Sequence, residues 1–286
     1  MSKLLNVAHK VLAEPWLIEP QAHAVLCRIL EAHIAGGEIE QSFRANGEKL
    51  LDMKQANETE DAAPYSVVDG VAIVALDGVI GRKVGPLERS SGVTDVDEFS
   101  AAMEAAANDQ EVSAIVLSVD SPGGTIGGVQ RAADTVRTVQ GMKPVIAHAS
   151  DVMASAAYWI ASGAGQIYAD QTATVGSIGV YSAILDRSRE MELAGLKQVV
   201  FASGKFKAAG MLGTSLTEGQ SQAIQKRVDS LASIFKTDVR RTRPAVSDDS
   251  MQGQTMLGDE AKAAGLIDAV ATFEQAITDA RNWANL

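Results

Sequence analysis

Apolar positions recur at helical spacing near the start of the chain: Leu5, Val11 and Leu12, then Val25, Leu26, Ile29 and Leu30. Pro15 and Pro20 interrupt this stretch, so residues 4–34 are predicted to form two short helices. From Gly36 to Pro64 the sequence turns polar, and NETEDAAP reads as a linker. A folded domain is predicted from Tyr65 onward. The chain therefore divides into a helical arm with its linker, residues 1–64, and a domain, residues 65–286.

Within the domain the period changes. SVVDGVAIVALDGVI alternates and then saturates with Val, Ile and Leu, which predicts strands with turns at Asp69-Gly70 and Asp77-Gly78. Thr94, with Asp97 three residues on, predicts the start of a helix running through Asn108. VSAIVLSVD is a buried strand ending in the turn Ser121-Pro122-Gly123-Gly124, with a helix expected over 126–139. VIAHA is a second buried strand, leading through a polar turn into the helix of MASAAYWIA. A short strand over 166–169, the turn-rich TVGSIGV, a helix over 184–193 and a strand at QVVFA follow. A long helix from Thr217 carries Ile224, Val228, Leu231 and Phe235 on one face. GDEAKAAGLIDAV and FEQAITDARNWAN close the chain as helices around a short strand. Strand and helix alternate throughout, which predicts an α/β fold with a largely parallel sheet.

Composition narrows the function classes. The 286 residues are 46% hydrophobic, ordinary for a globular protein, and the net charge of −11 argues against a nucleic-acid-binding surface. Cys27 is the only cysteine, so the chain has no internal disulfide and no cysteine-based metal site. His9, His23 and His33 lack the spacing of a metal motif. No apolar run approaches the roughly 18 residues of a membrane span, and the N-terminus lacks a secretory leader. The expectation is a cytoplasmic protein that needs no cofactor.

Three stretches carry candidate chemistry. In DVMASAAYWIA, Ser155 stands between a strand and a helix among alanines that let other groups approach its hydroxyl. That is the setting of a nucleophilic serine, although a serine before a helix is also the usual N-cap. In DSPGG, two glycines let backbone amides approach a ligand. The sequence matches neither phosphate-binding glycine pattern, so an oxyanion hole and an ordinary strand–helix turn are the two readings. A base must then be found. His148 is the only histidine outside the arm, and no acid partner for it stands out. SGKFK offers Lys205 and Lys207 after a predicted buried strand, with no Asp or Glu from Phe201 through Thr217. Burial could keep such an amine neutral, at a cost on the order of 4–5 kcal/mol for a shift from about 10.4 to near 7.

Taken in order, SPGG, MASAAYWIA, GSIGV and SGKFK resemble the S49 peptidase family, which includes signal peptide peptidase A enzymes and phage capsid-assembly proteases. The resemblance covers about residues 67–270. It implies a Clp/crotonase-like spiral of ββα units, with Ser155 as nucleophile and Lys207 as general base. It also implies an oxyanion hole from the amides of Gly124 and Ala156, and homo-oligomeric assembly. Ser177 of GSIGV is a weaker candidate for orienting the lysine. Two positions depart from the family pattern: Ala156-Ala157 follows the serine where glycine is usual, and Ala208 stands where an acid often follows the lysine. EPWLIEP, residues 14–20, resembles the leader of the phage branch. That branch implies scaffold, portal or capsid polypeptides, or the chain itself, as substrates, cleaved in the host cytoplasm or inside the procapsid. The alternatives are an anchorless bacterial signal-peptide-peptidase-like protease, a crotonase-like acyl-CoA enzyme and a non-catalytic internal capsid protein.

Overall fold

The run Ala114–Val119 alternates its side chains between two apolar layers, and this makes it the centre of the sheet. Ile115, Leu117 and Val119 join the larger core, whereas Ala114 and Val116 join a smaller one on the opposite face. The structure, a computed structural model, describes residues 15–25, 27, 64–85, 88, 89 and 91–286. The first predicted arm helix and nearly all of the polar linker lie outside the described residues.

The strands are β1 (Trp16–Ile18), β2 (Ser66–Val68), β3 (Val71–Gly81), β4 (Val93–Asp95), β5 (Ala114–Thr125), β6 (Val145–Ala154), β7 (Gln166–Ala169), β8 (Thr174–Gly176), β9 (Thr255–Leu257) and β10 (Ala269–Val270). The helices are α1 (Val96–Asn108), α2 (Val129–Gln140), α3 (Ala156–Ala161), α4 (Ser188–Leu193), α5 (Glu218–Thr242), α6 (Gly258–Ala263) and α7 (Phe273–Ala284). One mixed sheet has the path β10-β7-β6-β5-β3-β2. All of its neighbours are parallel except the β2–β3 hairpin. α1, α2 and α3 bury Met103, Val136 and Tyr158 against one face, and α7 lays Ala276 and Ala280 on the other. The α/β class and the largely parallel sheet are as the sequence predicts.

Several local expectations are corrected. Asp69-Gly70 is a turn, but Asp77-Gly78 is not. β3 runs through it, and the register shift opposite it is a bulge in β5, where Ser121 and Pro122 face the single residue Gly78. The α1 cap is Asp95 rather than Thr94, because the Asp95 carboxylate accepts the Asp97 N–H at 2.8 Å. SPGG is the extended end of β5 rather than a turn, since both of its edges find partner strands. A second register shift, between Val119 and Ser121 against β6, lies beside the first. QVVFA forms no strand: no sheet edge reaches it, and Phe201 is 96% exposed. The helix expected over 184–193 shortens to α4. Between the two prolines of the arm, residues 16–18 form strand β1, and helix begins only at residue 20.

Candidate active site

β6 runs straight into α3, and Ser155 is the single residue between them. Its φ of 56° and ψ of −116° lie where L-residues are rarely found, a strain of about 1–3 kcal/mol that the surroundings must hold. Its side chain does not cap the helix. The side-chain cap read as the alternative is not formed, and the sharp turn from strand to helix is of the kind in which a nucleophilic serine can be presented. The Ser155 N–H donates to the Gly176 carbonyl at 2.8 Å, tying the turn to β8. Behind it every residue of α3 is buried. The Tyr158 hydroxyl donates to the Leu266 carbonyl at 2.8 Å, and burial pushes its titration upward. Trp159 stacks on Phe235 of α5 with ring centroids 4.5 Å apart, and its indole N–H donates to Asp238 at 3.0 Å.

The end of β5 faces this turn. At Gly123 (φ 98°), the point a Cβ would occupy is 3.0 Å from Ser155 Cβ, 3.0 Å from the Ala156 nitrogen and 2.2 Å from the Leu17 carbonyl oxygen. Only glycine fits there. At Gly124 a Cβ would sit 1.9 Å from the Ile80 carbonyl oxygen, so this backbone also requires glycine. The Ser121 hydroxyl anchors the segment by donating to the Gly78 carbonyl at 2.6 Å. The sequence placed Gly124 and the Ala156 amide in the site by resemblance. The geometry adds Gly123, which touches the serine, and Gly176, which holds its backbone. Their signal in the sequence was only their membership of SPGG and GSIGV.

The base candidates separate. His148 is fully buried in β6, with Nε2 2.9 Å from the Ala271 carbonyl, Nδ1 3.4 Å from the Ser150 hydroxyl, and Phe273 edge-on at 5.5 Å. Its ring is held by groups other than Ser155, and the Asp170 carboxylate, which the sequence did not single out as a partner, lies 3.6 Å from Nε2. Lys205 lies over the Phe206 ring at 4.8 Å. Lys207 is exposed, its backbone N–H donating to the Gly204 carbonyl at 3.1 Å. No described contact joins Lys207 to Ser155, and the burial predicted for its amine is absent within this one chain. The reason is the missing QVVFA strand: the segment before it is not anchored in the sheet. Ser177 is buried directly after Gly176, with its N–H on the Gln254 carbonyl at 2.7 Å and φ of 52°.

Among the described residues no group of three His, Cys, Asp or Glu side chains is arranged to hold a metal ion, and no helix is long and apolar enough to cross a membrane.

Residues 137–286 match the sequence profile of peptidase family S49. Capsid assembly protease C of Escherichia phage lambda is 27% identical over 293 residues, spanning 99% of this chain and 66% of that protein. Head-tail preconnector protein GP5 of Enterobacteria phage P21 is 28% identical over 285 residues, 96% of this chain and 57% of that protein. The chloroplastic serine protease SPPA of Arabidopsis thaliana is 28% identical over 224 residues, 76% of this chain and 33% of that protein. The chain thus spans from one-third to just under two-thirds of these relatives.

Proposed function

The chain belongs to peptidase family S49, and from that premise we propose that it is a serine endopeptidase working through Ser155 and Lys207. The observation that carries the reading is the backbone of Ser155: strained, uncapped, and set between the Ala156 amide and the glycine strand. Ser155 Oγ attacks the substrate carbonyl carbon while the neutral Lys207 amine takes its proton. The Ala156 and Gly124 amides hold the oxyanion. Lys207 then protonates the leaving amine, and afterwards activates the water that releases the acyl group. The chemistry requires no metal or nucleotide.

Lys207 joins the site when copies of the chain associate. The segment that carries it exposes Leu185, Leu193, Phe201 and Leu212, an apolar surface that a solitary globular chain would bury. A neighbouring copy would cover this segment and take the Lys207 amine out of water. The two phage relatives are named for capsid assembly and for a head–tail preconnector. By that likeness the substrates are scaffold, portal or capsid polypeptides, or the chain itself, met in the host cytoplasm or inside a procapsid.

The test is covalent labelling by a fluorophosphonate probe. The assembled protein gains one adduct, mapped to Ser155, and folded Ser155→Ala gains none. An adduct that persists in Ser155→Ala overturns the assignment.

A further inference from the structure

The motif EPWLIEP supplies β1, and β1 lies where a substrate would have to lie. β6 leaves the sheet at Ala154, where Ser155 turns the chain into α3. The slot beyond that exit is bounded on one side by Gly123–Thr125 of β5. β1 fills it, pairing antiparallel with that edge: Trp16 against Thr125, Leu17 against Gly124 and Ile18 against Gly123. Its other edge meets the chain that continues from β8, where Trp16 and Tyr181 exchange both backbone hydrogen bonds, at 2.9 and 3.2 Å. A three-residue segment is thus held by main-chain bonds on both sides, which is how an extended peptide is captured by strand addition.

The register aims one peptide group at the nucleophile. Glu19 N–H bonds the Pro122 carbonyl at 2.8 Å. Alternation along an antiparallel ladder makes Leu17 and Gly124 the next hydrogen-bonded pair. The Leu17 carbonyl therefore faces the Gly124 amide assigned to the oxyanion hole. The same oxygen is 2.2 Å from the point beside Gly123 that lies 3.0 Å from both Ser155 Cβ and the Ala156 nitrogen. Leu17 is fully buried, and Ser155 beneath is 1% exposed, too little for an outside peptide to reach. Trp16 and Ile18 are buried against Val79, Ala22, Cys27 and Tyr181.

We propose that Trp16–Ile18 is a built-in pseudosubstrate. It occupies the peptide-binding slot with the Leu17 carbonyl at the oxyanion hole, keeps the serine closed, and gives way to an extended polypeptide with a leucine-like residue in the Leu17 place. This rests on the serine-peptidase reading above.

Two measurements on the full-length protein test it. The first compares Ser155 labelling by a biotinylated fluorophosphonate in the native chain and in Leu17→Asp, with retained fold checked by circular dichroism. The charged arm should label at least tenfold faster, and added acetyl-EPWLIEP-amide should slow it again. Equal rates in the two proteins, or no effect of the peptide, overturn the pseudosubstrate. The second measurement does not depend on the variant. The native protein is treated with a peptidyl phosphonate ending in Trp-Leu, and amide hydrogen exchange is followed. Exchange at residues 16–19 should rise tenfold or more on adduct formation, whereas an adduct with those amides still protected overturns the proposal alone. No adduct in any folded form, with either reagent, overturns the peptidase reading and the pseudosubstrate with it.

Discussion

The backbone N–H of Ser155 donates to the carbonyl of Gly176 at 2.8 Å, so two strands that are distant in sequence share the load of one strained residue. On either side of that bond the chain turns through positive φ, 56° at Ser155 and 52° at Ser177. Replacing Ser155 separates strain from chemistry. Ser155→Ala and Ser155→Gly both lose peptide cleavage, but the glycine variant adopts this backbone without a Cβ penalty. It should be more stable than the alanine variant by about 1 kcal/mol, measured by urea unfolding. Equal stability would mean the turn relaxes in solution.

The base assignment is tested by three single variants assayed on one peptide. Lys207→Ala should be inactive, Lys205→Ala impaired, and His148→Gln active with an unchanged rise of kcat/KM with pH, because its imidazole is held by Ala271 and Ser150. An inactive His148→Gln beside an active Lys207→Ala replaces the dyad with a histidine mechanism. Mixing Ser155→Ala with Lys207→Ala should restore activity, since each supplies what the other lacks across the interface between copies. Light scattering that shows a monomer in the active enzyme would exclude that route.

The stacked pair Trp159–Phe235 fastens α5 to the helix behind the nucleophile. Phe235 is fully buried, and Phe235→Ala should cost about 3–5 kcal/mol in chemical denaturation. A loss under 1 kcal/mol would show that this contact is not formed.

Asp109 gives the stability a defined acid dependence. The Glu111 N–H, and then the Tyr65 hydroxyl, hold its carboxyl below the usual 3.8. A carboxyl lowered on folding stabilises the folded form above its unfolded value, and that contribution is lost as pH falls through the lower, folded value. Asp109→Asn should therefore melt lower than native at pH 6, with the gap closing as pH drops below 3.8. A gap that stays constant with pH would rule out the carboxylate as its source.

Periodicity made the core strands and the closing helices legible, because burial on both faces or one leaves a direct trace in residue type. Ser155, Gly124 and Lys207 were legible as motif members, but motifs carry no distances. Nothing local shows that SPGG stays extended, because that depends on strands at both of its edges. QVVFA has strand composition and no strand, since a β run needs a neighbour and the sheet offers it none. Trp16–Ile18 was hidden for the opposite reason: three residues between prolines have no period, and only a remote edge, more than a hundred positions along the chain, makes them a strand.

The exit of β6 at Ala154 leaves two raw backbone edges facing each other across one strand's width, and β1 is what keeps them apart. A slot bounded in this way cannot be enlarged by one more strand; it admits a replacement only. Whatever polypeptide enters exchanges its main-chain bonds for those that β1 gives up, so the ladder contributes nearly nothing to the net affinity. Selection among sequences then falls to side chains, scored as the difference between the newcomer and Trp-Leu-Ile. If β1 is the pseudosubstrate proposed above, polypeptides that match the arm poorly stay outside, however exposed their backbone.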